Sequence, residues 1–387
     1  MRPILLLTSG LLAAAAVAVV QSASTRPLVV RQHVPDGGIQ PQAVVDERGT
    51  VHVIYFRGDP AHGDVFYAKS TDDGVTFSAP IRVNHEPGSA IATGSVRGPH
   101  LALGRNHRVH VAWDGSDAVR PKEAPDKTPL LYTRLDDSGT GFEPERNVIQ
   151  SAFGIDGGTL TADREGHVYV VWHASPPGER GEEHRRAWVA RSSDDGKTFG
   201  AERAASDPAT GACGCCAVGA FTDSRSTGYL LYRSASETVN RDMYLLMSHD
   251  AGEHFAGALV HRWKIGACVM STEAFAEGPS GVYTAWETEG QVYFSRVDQE
   301  TGRASNAVEA PGSSRGRKHP ALAVNRDGDV LFAWTEGTGW NKGGAAAWQI
   351  FDGAGHSKGN IGHAESVPVW GLVTAYAMRD GRFAVMY

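Results

Sequence analysis

The octapeptide STDDGVTF at residues 70–77 returns as SSDDGKTF at 192–199 and as SHDAGEHF at 248–255. The shared frame is Ser70, Asp72, Gly74 and Phe77, then Ser192, Asp194, Gly196 and Phe199, then Ser248, Asp250, Gly252 and Phe255. A carboxylate placed this way accepts backbone N–H groups across a tight turn, glycine supplies a positive φ, and the aromatic ring buries against whatever the turn closes. The frame therefore reads as a structural turn and its recurrence as an internal repeat. Weaker copies around Asp137, Gly139 and Phe142, around Gly302 and around Gly355 keep the same place in the repeat.

Between the boxes runs a second periodic element. AVVDERGTVHVIYF, LALGRNHRVHVAW, LTADREGHVYVVW, FTDSRSTGYLLY, AFAEGPSGVYTAW, LAVNRDGDVLFAW and VTAYAMRDGRFAVMY each read as two apolar strands around a polar turn. Their closing aromatics, Tyr55, Trp113, Trp172, Tyr232, Trp286, Trp334 and Tyr387, fall roughly fifty to sixty residues apart, the period of a four-stranded propeller blade. The chain is thus predicted to be an all-β propeller, with seven blades favoured and six as the alternative. The segment PLVVRQHV at 27–34 resembles APIRVN at 79–84, which follows the first box, so the last blade is expected to be closed by both chain ends.

The 46 glycines and 19 prolines suit many tight turns. A net charge of -7 offers no broad basic field, which sets nucleic acid and anionic membranes aside as partners. Arg2, the apolar run Ile4–Val20 and the small residues Ser22, Ala23 and Ser24 read as a secretory signal over residues 1–24, with an uncleaved membrane anchor as the alternative. Residues 25–387 are then one propeller domain, secreted or periplasmic, with no membrane insertion after cleavage.

The boxes resemble those of the sialidase superfamily, the Asp-box (BNR-repeat) β-propellers. The resemblance implies six blades and, for sialoside hydrolysis, three arginines that clamp a carboxylate, a tyrosine nucleophile assisted by a glutamate, and an aspartate acid/base. The family's first arginine precedes Ile-Pro, and Ile39, Gln40 and Pro41 stand in its place; Arg97 with Pro99, and Lys318 with Pro320, come nearer to the pattern. Where the tyrosine is expected the chain reads Pro368, Val369, Trp370, Gly371, Leu372, and Asp59 and Asp64 only occupy the loop of the acid/base. The sialidase reaction is therefore not expected. The loops opposite the boxes are longer and richer in charge and tryptophan, which makes Arg57, Asp59, Arg97, His173, Arg233, Arg241, Glu273, Lys318, His319 and Trp340 the ligand-binding candidates, each of the charged ones equally readable as a salt-bridge partner.

Four cysteines lie in two segments, GACGCCAVGAF with Cys213, Cys215 and Cys216, and GACVMSTEAF with Cys268. Both lead into inner strands of adjacent blades, so two disulfides are expected, with Cys268 bridging to the triple cluster. The alternative is a copper or zinc site built from these thiolates, Met270 and His173 or His319. The chain also resembles a group of uncharacterised exported bacterial sialidase-like proteins at Cys213, Cys215, Cys216, Arg241, Asp242, Trp263, Ile265 and Cys268; that likeness implies no activity. The leading reading is a propeller that binds a carbohydrate or another polar ligand in its central funnel, without sialidase catalysis and with no cofactor. A divergent exo-acting glycoside hydrolase and a soft-metal protein are the alternatives, and a protein partner is a further one.

Overall fold

The structure, a computed structural model, describes residues 28–94, 96–121, 128–153, 157–313 and 315–387; the expected signal segment 1–24 lies outside them. Seven sheets are arranged in chain order, six of four strands and a last one of three. Their inner strands are Ile39–Val45, His100–Leu103, Thr159–Ala162, Val218–Thr222, Ala274–Gly278, Arg317–Val324 and Thr374–Ala377, here numbered as blades 1 to 7. Each hairpin read from the sequence supplies the two innermost antiparallel strands of one blade, as in Thr159↔Val171 to Ala162↔Val168. The count of seven follows, and the six-bladed alternative does not.

The ring closes as expected, with one difference. Val29–Gln32 joins blade 7 as its third strand, parallel to Phe383–Met386, rather than as a fourth outer strand. Pairing with the Val29–Gln32 strand satisfies the outer edge of Phe383–Tyr387: Phe383 N–H donates to Leu28 O at 2.9 Å and Tyr387 N–H to Gln32 O at 3.2 Å.

Apolar side chains on facing blade surfaces meet in one cluster at each blade interface. Ala112, Leu130 and Tyr132 of blade 2 pack with Leu160, Val170 and Trp172 of blade 3, and Leu231 and Met243 of blade 4 pack with Val282 and Trp286 of blade 5. The closing aromatics are the largest pieces of this core; Trp113, Trp172 and Trp334 have no exposed surface. Truncating one to alanine is the kind of change that costs about 3–5 kcal/mol.

The boxes form the turns between third and outer strands, on the same face as the hairpin turns. In the first, Ser70 Oγ donates to Asp72 Oδ1 at 2.7 Å and accepts from Gly74 N–H at 2.8 Å, while Thr76 donates through N–H to Asp72 Oδ1 at 2.9 Å and through Oγ1 to Oδ2 at 2.7 Å. The second box repeats these bonds at Ser192, Asp194, Gly196 and Thr198. The boxes also join blades. A Cβ on Gly74, Gly196 or Gly252 would run into Tyr376, Tyr132 or Tyr169 of the preceding blade, and all three glycines have positive φ, 79°, 77° and 78°. The next aspartate along reaches back as well: Asp73 pairs with Arg379 at 3.1 Å and Asp195 with Arg108 at 2.7 Å. In the weak copy near Gly139 the turn carboxylate is Asp136, which accepts from Ser138 Oγ at 2.6 Å, and not Asp137, which pairs with Arg108 at 2.6 Å.

Candidate functional site

The inner strands enclose a channel of about 450 Å³, walled largely by small apolar residues such as Ala43, Ala102, Ala162, Ala276 and Ala323. Polar groups gather at the end opposite the boxes, where the segments leading into the inner strands form its mouth. These segments are constrained. Gln40, Met270, His319 and Trp370 all have left-handed backbone, φ 51°, 48°, 52° and 56°. Such residues cost about 1–3 kcal/mol each and persist where the surroundings fix them. Pro41 and Pro320 follow two of them at register shifts in the ladder, where no N–H is needed. The segments also touch: a Cβ on Gly157 would lie 3.0 Å from Val96 O and 3.1 Å from Cys216 O, so blades 2, 3 and 4 meet there backbone to backbone.

Between blades 4 and 5 lies a buried charged network. Arg233, 1% exposed, donates through Nε to Ser271 Oγ at 3.0 Å, through Nη1 to Arg241 O at 2.6 Å and through Nη2 to Glu287 O, and it stacks over the Trp263 ring at 5.0 Å. Lys318 Nζ donates to Glu287 Oε1 at 2.8 Å and to Val269 O at 2.5 Å. Ser271 Oγ in turn donates to Glu273 Oε1 at 3.3 Å. Glu273 borders the channel, yet its Oε2 is covered and has no hydrogen-bond partner among the described residues. Burial above all, and then Cys216, push the Glu273 carboxyl well above the usual range, against the pull of Arg233. Burial also raises Glu287, opposed by Lys318. His319, hydrogen-bonded through Nδ1 to Thr272 Oγ1 at 3.2 Å, is held well below its ordinary value by burial and by Lys318, and so is neutral. Burial thus disfavours charge on Glu273 and His319, while Arg233, Lys318 and Glu287 are bonded to partners inside the wall.

The cysteines close the same corner. Cys215 and Cys268 form a disulfide between the lead-in segments of blades 4 and 5, their Cα atoms 6.1 Å apart. Where two bridges were expected there is one: Cys213 and Cys216 are free and buried, their sulfurs 2.8 Å apart. A hydrogen bond from Cys216 lowers the Cys213 thiol, with help from the Cys215 backbone and Arg241, whereas burial and then Cys213 raise Cys216. The sulfurs of Cys213, Cys215 and Cys216 lie within 4.8 Å of one another. The histidines expected beside them bond elsewhere, His173 through Nε2 to Cys216 O at 2.6 Å and His319 to Thr272. The disulfide faces a surface groove of about 420 Å³ lined also by Glu182, Thr238, Val239, Arg241, Gly266 and Ala267. Arg241, 5% exposed, donates through Nη2 to Glu182 Oε2 at 2.6 Å, while its Nε and Nη1 have no partner among the described residues.

The other candidates are dispersed. Trp340, in the blade 6 loop, lies beside the mouth, 58% exposed, with its ring against Trp370 at 6.2 Å and against Gly94 of blade 2. That close approach explains Gly94: it has φ +96°, and a Cβ there would sit 3.1 Å from the Trp340 ring. Arg97, which donates to Thr93 O at 3.2 Å, is next to it. Arg57 instead pairs with Asp36 at 3.8 Å on an exposed strand end, and Asp59 caps the turn at Ala61. Gln40, Ser271, Glu287 and Trp370 belong to the mouth or its wall, and Glu182 to the groove beside the disulfide; no repeated sequence motif marks them.

No family model matches the chain, and no curated protein matches it. Among solved structures it is similar to a protein of unknown function from Dyadobacter fermentans DSM 18053, 14% identical over 87% of this chain and 96% of that one, with a TM-score of 0.54. It is also similar to the alpha-L-arabinanase of Penicillium chrysogenum complexed with arabinobiose, 13% identical over 83% and 95%, TM-score 0.53. The NanB sialidase of Streptococcus pneumoniae follows at 9% over 76% and 64%, TM-score 0.51. What they share with this chain is the propeller fold.

Proposed function

We propose that the chain is an exported binding propeller whose mouth takes a carbohydrate or a similar polar, largely uncharged ligand. The observation that carries this is Trp340: a large ring 58% exposed beside a channel mouth, seated on Gly94, next to Arg97 and Trp370. Exposed aromatic faces beside convergent polar groups suit the apolar face and hydroxyls of a sugar. Burial disfavours the charged forms of Glu273 and His319, which favours hydroxyl recognition over ion pairing. Export rests on the apolar run Ile4–Val20, and the Cys215–Cys268 bridge fits an oxidising compartment.

The test is a titration of tryptophan fluorescence with a panel of neutral and acidic oligosaccharides. Saturable quenching by at least one sugar, weakened about tenfold or more in Trp340→Ala, is the expected result. Silence across the panel, or quenching indifferent to Trp340, would overturn it. Release of aglycone from fluorogenic glycosides would instead support the hydrolase reading, for which Glu273 in the channel wall is the candidate carboxyl. A copper or zinc cargo is the second reading of the cysteines, supported by the free Cys213 and Cys216 thiols and by Cys215 beside them, whose sulfur becomes a ligand only when its bridge to Cys268 is reduced. Elemental analysis of the purified protein tests it.

A further inference from the structure

Two sulfur pairs stand side by side in different states and at different depths. The Cys215–Cys268 disulfide faces the groove, Cys215 half-buried and Cys268 exposed, whereas the Cys213 and Cys216 thiols lie behind it, each 1% exposed. The pairs are within reach of exchange, with 2.8 Å between Cys213 and Cys216 sulfurs and 3.6 Å between those of Cys213 and Cys215. A purely structural staple requires only the bridge. It explains neither the adjacent dithiol nor Arg241, a buried guanidinium that lines the groove with two N–H positions unpartnered among the described residues. A cation with spare donors in the same groove as a disulfide is placed to hold the anionic sulfur that exchange expels.

We infer that the four cysteines are a dithiol–disulfide relay, passing two electrons between the buried Cys213/Cys216 pair and a low-molecular-weight thiol or disulfide in the groove. The Cys213 sulfur attacks Cys215; the Cys213–Cys215 bond forms, the Cys215–Cys268 bond breaks, and the electron pair leaves on Cys268, which takes up the proton Cys213 has lost. Cys216 then attacks Cys213, forming the Cys213–Cys216 bond and releasing Cys215 as a thiol. The net change is one disulfide moved inward and two thiols presented outward, with no external oxidant. In the groove, Cys268 attacks a small disulfide and expels one thiol, and Cys215 resolves the mixed disulfide and expels the second. The outer bridge is restored, and the small disulfide has been reduced to two thiols. This site and chemistry are independent of the ligand read at the mouth.

The experiment equilibrates the native protein with graded ratios of glutathione to glutathione disulfide. It quenches with acid, alkylates free thiols, and maps all four cysteines by peptide mass spectrometry, with circular dichroism confirming the fold. The expected result is bridge content that migrates between Cys215–Cys268 and Cys213–Cys216 in folded protein, with glutathione adducts confined to the outer pair. Cys216→Ser should stall with Cys213 bonded to Cys215 and Cys268 open to alkylation. Arg241→Met should slow the exchange by about tenfold or more without changing the circular dichroism. A Cys215–Cys268 bridge that survives every ratio until the protein unfolds would overturn the relay. So would a Cys213–Cys216 pair that never changes state, or exchange at an unaltered rate in Arg241→Met; each can be read in wild type or in a folded variant.

Discussion

The two faces of the propeller are built on opposite plans. On the face with the hairpin turns, one solution is used repeatedly: a serine and an aspartate fix a turn, and a glycine seats the neighbouring blade's tyrosine at Tyr376, Tyr132 and Tyr169. On the other face left-handed backbone recurs at Gln40, Met270, His319 and Trp370, but the side chains it positions do not repeat. Its cysteines, Arg233, Glu273, Lys318 and Trp340 each occur once, several with strained backbone nearby. Repetition spreads the work of holding the ring over several equivalent joints, whereas the unrepeated face concentrates its interactions in one corner between blades 4 and 5.

That contrast breaks most sharply at Arg233. Arg233→Met strips a donor from Ser271 Oγ and from the Arg241 and Glu287 carbonyls in a closed site. It is expected to lower stability by about 3–5 kcal/mol, read from the urea midpoint at constant slope. A loss under about 1 kcal/mol would mean the corner is not the concentrated joint described.

A pH series sharpens the comparison, because the faces respond in opposite directions. Thr76 and Ser70 hydrogen bonds hold Asp72 down to about 2, and bonds from Thr198 and Ser192 do the same for Asp194 against its burial. A carboxyl whose folded value is depressed adds stability that is complete above its ordinary 3.8 and is lost as pH falls toward about 2. Glu273 and Glu287 are raised, so their contribution is complete below the ordinary 4.5 and lost as pH climbs through their folded values. Unfolding measured from about pH 2 to about pH 8 should show Asp194→Asn flattening the acid limb and Glu273→Gln the neutral one. If both variants alter the same limb, the assignment fails.

The smallest effect is expected at a single box. Ser192→Ala removes the acceptor of Gly196 N–H, 2.9 Å away, and should cost about 1 kcal/mol while leaving ligand titrations and cysteine exchange unchanged. A change at the mouth from this substitution would show that the faces are coupled.

The same contrast governs what could be read beforehand. Repeated turns announce themselves, so the seven blades followed from the boxes and the closing aromatics, and the closure by both chain ends from the likeness of PLVVRQHV to APIRVN. Register within weak copies did not: Asp136 and Asp137 are adjacent, and only the fold distinguishes the turn carboxylate from the partner of Arg108. The box's role between blades was hidden because the tyrosines it meets come from a different sheet each time. The cysteine spacing likewise held no information about which sulfur faces Cys268. The roles of Gln40, Glu182 and Trp370 are not legible in the sequence, because they arise from loops that converge only once the ring has closed.

Residues 29–32 find their partners at 383–386, the other extreme of the sequence. Such a pairing is strongly non-local, so the step that completes the annulus has to wait until residues 383–386 have been made. A seam of that span is the kind of long-range pairing whose loop-closure entropy slows folding.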